Sequence, residues 1–382
     1  LYKWDQPIIN QKEIGILGFL IKEFNNQIYL LMQTKIEPGN LNSIQLSPTL
    51  QATKSNYNAL HKGKIPNYLE YFINSRNGNI LSDTLQSEQG SFFLKKRNRN
   101  IILKANNDIS LKDGYKWIPL KVIKRLLMID NIINMDSRSI LSQINYLQIS
   151  GLLKFKNKFN CDEDLIYTSL FGIGKPKNSL QKILNFIKFF RNKYKISITK
   201  ISLNQMYDWE FTNREIKRKD NKFFKVIGVE ASIPNREKRY WQQPMLETYS
   251  YGICTLVGKL INNIFHLIVQ AKLECGNKEI IELGPTIQLL DGSNLNSKND
   301  EIFCLNYQEN SKLKKIIFSN YQSDEGGRFY HVFNKYSLIL ADKSFNEKLP
   351  EGFIWVTLNQ LYLLNRLNGK INIYLRTFLS MI

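Results

Sequence analysis

The chain has 382 residues, 43% hydrophobic and 12% aromatic, which supplies packed cores and suggests more than one domain. Basic residues number 53 against 33 acidic, a net charge of +20, yet they are scattered rather than striped, and no apolar run reaches the roughly 18 residues of a membrane span. Nucleic acid and membrane are therefore set aside as partners, while small phosphorylated ligands stay in play.

The four cysteines, Cys161, Cys254, Cys275 and Cys304, form no CxxC pair and read as free thiols of a reducing cytoplasm. Only three histidines occur, His61, His266 and His331, which argues against a His-based metal site. The chain opens at Leu1 without a signal peptide, and this points to a missing beginning.

In chain order, EIGILGFLIK (13–22) and IYLLMQTKIE (28–37) are expected strands of a hairpin turning at Asn25-Asn26. A Pro38-Gly39 turn ends the second strand and a helix is expected next. A strand before Gly90 follows, then another across SFFLKKRN (91–98), then a helix after Trp117-Ile118-Pro119. SLQKILNFIKFFRNKY (179–194) has helical spacing, and FFKVIGVEASI (223–233) alternates as a strand.

Residues 4–51 recur at 241–288 with a constant shift of 237 and no gap: Trp4 matches Trp241, Pro7 Pro244, Gly39 Gly276 and Pro48-Thr49 Pro285-Thr286. Further on, Gln86-Ser87-Glu88-Gln89-Gly90 matches Gln322-Ser323-Asp324-Glu325-Gly326, and Arg138 matches Arg376. One α+β fold is duplicated. The expected division is a first repeat over 1–150, a helical connector and lead-in over 151–220, and a second repeat over 221–382. The first repeat lacks the lead-in that precedes Trp241.

Several groups can carry chemistry. Gln33, Lys35 and Glu37 alternate onto one strand face, as do Gln270, Lys272 and Glu274. QSEQGSFFLKKRNRN (86–100) places Lys95, Lys96, Arg97, Asn98, Arg99 and Asn100 at a strand end, a candidate diphosphate clamp. Its counterpart offers Gly327, Arg328, Tyr330 and His331. Trp4 and Trp241 each open a Trp-x-Gln-Pro turn and can stack on a base or cover a core. GxSxG, Walker A, HExxH and dinucleotide fingerprints are absent.

The strings WDQPIINQKEIGILGFL (4–20), KIEPGNLNSIQLSPTLQATKSNY (35–57), LEYF (69–72), LQSEQGSFFLKKRNRN (85–100), NREKRYWQQP (235–244) and QSDEGGRFYH (322–331) resemble the NDP-hexose 2,3-dehydratases of deoxysugar biosynthesis across almost the whole chain. The resemblance implies tandem Nudix-like domains, a homodimer, and a dTDP-4-keto-6-deoxyhexose substrate that loses its C2 hydroxyl. The 3,4-diketo product would pass to a separate 3-ketoreductase. The positions of a Nudix metal box hold Gln45, Thr53-Lys54 and Tyr57-Asn58 in the first copy. In the second they hold Glu282, Leu290-Asp291 and Asn294-Leu295. The carboxylates that a divalent ion needs are largely gone, so no metal and no other cofactor is expected.

On that resemblance, nucleotide and diphosphate binding are carried to Trp4, Arg97, Asn98, Arg99, Ser137, Trp241, Arg328 and Tyr330, beside Lys95, Lys96, Asn100 and Gly327. Acid–base candidates are Lys35, Glu37, Glu88, Tyr330 and His331. The alternative is a non-catalytic nucleotide-sugar binding protein on a degenerate Nudix scaffold.

Overall fold

The structure is a computed structural model that describes residues 4–54, 65–73, 79–105, 109–144, 163–171, 174–194, 196–233, 239–290 and 314–382. The box positions Tyr57, Asn58, Asp291, Asn294 and Leu295, together with His61, Cys161 and Cys304, lie outside the described residues.

Strands β1 (Gly15–Phe24) and β2 (Gln27–Ile36) form the expected hairpin. Asn25 and Asn26 both take the left-handed region, φ 49° and 57°, the twist that lets a two-residue turn follow the strands. They are followed by β3 (Ile44–Ser47), β4 (Leu50–Ala52), helix α1 (Leu69–Ile73), β5 (Asn79–Ser87), β6 (Arg97–Lys104) and β7 (Tyr115–Pro119). Helices α2 (Leu120–Leu126) and α3 (Met135–Leu141) close the first half. The sheet runs β3-β2-β1-β6-β5, with β4 added to β1 and β7 to β2.

Two helices, α4 (Glu163–Phe171) and α5 (Leu180–Lys193), lead to a four-stranded antiparallel sheet of β8 (Trp209–Phe211), β9 (Glu215–Arg218), β10 (Phe224–Ser232) and β11 (Tyr240–Thr248). The second half then repeats the first. Its strands are β12 (Gly252–Ile261), β13 (Ile264–Leu273), β14 (Ile281–Gly284), β15 (Ile287–Leu289), β16 (Lys314–Ser323), β17 (Phe333–Ala341) and β18 (Phe353–Val356). They pair as β14-β13-β12-β17-β16, with β15 on β12 and β18 on β13. Helices α6 (Leu358–Asn365) and α7 (Ile373–Met381) end the chain.

The copies agree in detail. The bridge Ile9–Phe93 recurs as Leu246–Phe329, and Leu46–Ile133 recurs as Leu283–Ile371. Thr49 ties β1 to β2, accepting from Leu20 N at 3.0 Å and donating to Leu31 O; Thr286 does the same between Val257 N and Ile268 O. The fold is α+β, as expected.

Three local expectations are corrected. The helix expected between Gly39 and the strand before Gly90 is α1, but β3 and β4 precede it, because Pro48 bars a helix there and Leu50 and Ala52 alternate inward. The strand expected across 91–98 begins only at Arg97. Residues 91–96 turn, with Lys95 at φ 54°, so the basic run opens the strand rather than ending it. Trp241 lies within β11, paired opposite Ala231, and not on a turn.

The halves do not stand apart. One hydrophobic core joins Leu17, Phe19 and Leu30 of the first to Leu256, Leu267 and Phe378 of the second. Across this seam two fully buried arginines are exchanged. Arg138 donates to Gln322 Oε1 (3.2 Å) and Ser323 O; Arg376 donates to Gln86 Oε1 (3.4 Å) and Ser87 O (2.5 Å). Gln45 and Glu282, at matching box positions, also cross the seam: Gln45 Nε2 donates to Ser323 Oγ at 2.8 Å, and Glu282 accepts from Ser87 Oγ.

The backbones touch at two glycine pairs. Gly39 N donates to Gly326 O (2.8 Å) and Gly276 N to Gly90 O (2.7 Å). A Cβ on Gly39 would sit 1.7 Å from Phe329 O, so Gly39→Ala is expected to lower stability by roughly 1–3 kcal/mol or more. Chemical unfolding checks this, and an unchanged midpoint would contradict it.

Burial pushes the Glu282 carboxyl up to about 7. Its neutral form is the one that the fold favours. The stability this gives is complete below the unfolded value, near 4.5, and is lost as pH rises through about 7. Glu282→Gln should therefore gain on the parent in melting temperature between pH 5 and pH 8. The ceiling is roughly 1.4 kcal/mol per pKa unit. A difference independent of pH would rule the explanation out.

Candidate active site

The site is built from the network that starts at helix α3. Asn134 caps that helix, accepting from Ser137 N at 2.9 Å, and its amide donates to Ser47 Oγ (2.9 Å) and Gln51 Oε1 (3.1 Å). Gln51 in turn donates to Glu37 Oε1 at 3.3 Å, and Glu37 pairs with Lys35 Nζ at 3.0 Å. The cap places Asp136 in the first helical turn, buried at 4% exposure.

On the far side, the turn after β5 supplies Glu88, which Asn98 Nδ2 engages at 2.6 Å. The same turn sends Lys96 inward, donating to Glu13 O. The second half contributes Trp241, Gln243, Glu325, Gly327 and Arg328. Together these groups enclose a cavity of about 490 Å³. It therefore belongs to both copies: the first provides the strand and helix walls, the second provides one turn and one tryptophan.

The cavity holds more carboxyl groups than cations can neutralise. Burial raises Asp136 well above the usual carboxylate range, and the negative charges of Glu325, Glu88 and Glu37 add to this. Lost hydration lifts Glu325 to about 7, with Arg328 opposing and Glu37 and Glu88 reinforcing. Glu88 is raised by burial against the pull of Arg376, Asn98 and Lys96. Burial also lowers Lys96, which Glu88 and Glu325 counter. Carboxyl groups with raised proton affinity beside an ion-paired carboxylate can exchange protons with a bound ligand. Among the described residues no group of three His, Cys, Asp or Glu is disposed to hold a metal ion.

Of the residues singled out in the sequence, Lys35, Glu37, Glu88, Lys96, Asn98, Trp241, Gly327 and Arg328 meet at this cavity. The rest do not. Arg97 and Arg99 alternate with Asn98 onto the other face of β6, and Arg99 is bound to Asp83 at 2.7 Å. Asn100 donates to Ser139 Oγ at 2.7 Å in the seam. Ser137 serves the helix cap and Leu46 O. Lys95 and His331 are exposed, and Tyr330 stacks on His331 with centroids 4.1 Å apart. Trp4, 66% exposed, stacks on Phe223 at 6.0 Å.

The residues that the sequence reading missed are Asp136, Glu325, Gln51 and Gln243. The signal lay in the repeat itself, where its polarity breaks: Asp136 faces Tyr374 in the alignment and Glu325 faces Gln89. Lys96 likewise faces Val332, Arg328 faces Phe92 and Gly327 faces Ser91. At the matching place in the second copy the chain engages itself. Lys272 donates to Gln288 O (3.1 Å), while Glu274 accepts from Ser91 Oγ (3.1 Å), Asn277 (3.1 Å) and Gln288 (3.0 Å).

The sequence profile of the NDP-hexose 2,3-dehydratases matches residues 1–144 and 180–382. The chain belongs to that family. It is 36% identical over 378 residues to a dTDP-4-dehydro-6-deoxy-alpha-D-glucopyranose 2,3-dehydratase of Saccharopolyspora spinosa, covering 99% of this chain and 78% of the relative. Proteins of the same description from Streptomyces violaceoruber and Amycolatopsis orientalis are 35% and 36% identical. These alignments cover 99% and 100% of this chain and 82% and 76% of the relatives. In this 2,3-dehydratase family member the match spans both halves, so both walls of the cavity fall inside it. Among the described residues no helix is long and apolar enough to cross a membrane.

Gly327 keeps the cavity floor open where the other copy has Ser91. Gly327→Ser would add a hydroxyl beside Glu325 and Glu37, copying the bond that Ser91 makes to Glu274. The expected result is a roughly 10–100-fold loss in kcat/KM with little change in melting temperature. Full activity in this variant would show that the floor is not part of the site.

Proposed function

We propose that this protein removes the C2 hydroxyl of a dTDP-4-keto-6-deoxyhexose, giving a 3,4-diketo-2,6-dideoxy sugar. The carrying observation is the cavity shared by both copies, where carboxyls with raised proton affinity stand beside an ion-paired carboxylate. A passive binding module has no use for several costly carboxyls facing one another. The same reading takes the halves as Nudix-like, with 1–150 and 221–382 as the repeats and 151–220 as the connector. It also takes the protein as a homodimer, favoured by the exposed Ile201, Leu203 and Tyr207 of the connector.

The chemistry follows from the ketone at C4. It acidifies the C3 proton, which a base removes to leave an enediolate. The electron pair then returns from the C4 oxygen, the C2–O bond breaks, and an acid supplies the proton that lets the hydroxyl leave as water. The resulting enol tautomerises to the diketone, a labile product suited to a following reductase. Base and acid act on adjacent carbons and must lie close together. Glu37 and Glu325 meet this need, since a Cβ on Gly327 would be 3.5 Å from one Oε1 and 3.0 Å from the other. Glu37 is assigned as base and Glu325 as acid. Asp136, kept protonated, donates to a sugar hydroxyl. Arg328 and Trp241 lie at the second-half wall, where a diphosphate and a base fit.

An NMR time course of dTDP-4-keto-6-deoxyglucose in D₂O tests this. Turnover with loss of the C2 hydroxyl and deuterium entering C2 is expected; binding without turnover would return the protein to the binding-module reading. Glu325→Gln should slow turnover by roughly 10²–10⁴-fold. The rate of the parent should fall as pH rises through about 7, where Glu325 gives up the proton that it must donate.

A further inference from the structure

We propose that Lys96 is the group that stabilises the C4 oxyanion, rather than part of a diphosphate clamp. The inference rests on the dehydratase reading and assigns a role within it. Lys96 is 5% exposed and lines the cavity. Burying an ammonium is costly, so its presence needs a reason. Folding does not supply one: the matching residue in the other copy is Val332, also 5% exposed, in the same turn. The left-handed residues that aim both turns match as well, Lys95 at φ 54° and His331 at φ 54°. The fold therefore accepts an apolar side chain at this place, so folding does not by itself require the charge.

The other cations there are committed differently. Lys35 is paired with Glu37 at 3.0 Å. Arg328 donates to Gly327 O at 2.9 Å and stands at the second-half wall, where its planar fork suits phosphate oxygens. Lys96 has three donors, of which one is held by Glu13 O. The cavity wall that Lys96 lines also carries Glu88, Glu325 and Asp136, whose charges act on its ammonium. Removal of the C3 proton moves an electron pair onto the C4 oxygen, and a fixed ammonium there stabilises that charge at the moment it forms. When the pair returns and the C2–O bond breaks, the oxygen is a ketone again and Lys96 is unchanged. No proton leaves the ammonium in this cycle.

Lys96→Met and Lys96→Val, the second copying Val332, test the assignment in the whole protein. Melting temperature, dTDP affinity by calorimetry, kcat, and exchange of the C3 proton with solvent are measured. The expectation is a folded protein, dTDP affinity within about threefold of the parent, and kcat lower by roughly 10²–10³-fold. C3 exchange should fall in step, because enolisation itself is impaired. Retained kcat with dTDP binding weakened tenfold or more would make Lys96 a phosphate ligand and overturn the proposal. Failure of both variants to fold would overturn it too, since its premise is that the fold tolerates an apolar residue. If the parent itself turns nothing over, the dehydratase reading fails; an active parent beside fully active variants sinks the oxyanion role alone.

Discussion

The exchange of Arg138 and Arg376 between the two copies is the constraint on which the rest of this molecule depends. Each guanidinium is fully buried and would be untenable without its backbone-carbonyl and glutamine-amide partners, and burial lowers the proton affinity of both while nearby acids oppose the effect. Depriving such a buried charge of one hydrogen-bond partner costs roughly 1–3 kcal/mol or more. The exchange fixes α3 and α7, which carry these arginines, against the Gln-Ser ends of β16 and β5. Those strand ends run straight into Glu325 and Glu88, and α3 carries Asp136. The buried carboxyls of the cavity are thus held by the same contacts that join the copies.

Duplication also explains how the cavity acquired its chemistry. Features serving the fold persist in both copies: the Asn-Asn hairpins, the Thr49 and Thr286 bridges, and Asn98 on Glu88 matched by Asn334 on Asp324 at 2.9 Å. Several features of the cavity appear once. Where the first copy has Asp136 and Lys96, the second has Tyr374 and Val332, and Ser91 fills the place of Gly327.

Much of this was legible in the sequence because its signals are local or repeated. The Asn25-Asn26 hairpin signal gave β1 and β2, alternation gave β10, helical spacing gave α5, which runs from Leu180 to Lys193, and the shift of 237 gave two matching sheets. The basic run at 95–100 misled because charge was counted without direction. Alternation along β6 sends Arg97 and Arg99 away from the side that Asn98 faces, and only Lys96 and Asn98 reach the cavity. Asp136 and Glu325 stand out only where the polarity of the repeat breaks, and that signal does not say that they share a cavity. They are far apart in the chain, and nothing short of the folded seam brings them together.

The most direct test is a crystal structure with dTDP bound. The account predicts the diphosphate against Arg328 and the space for the sugar open toward Lys96, Asp136 and Glu325. A structure with dTDP at Trp4 and Phe223, and no nucleotide in the shared cavity, would contradict it.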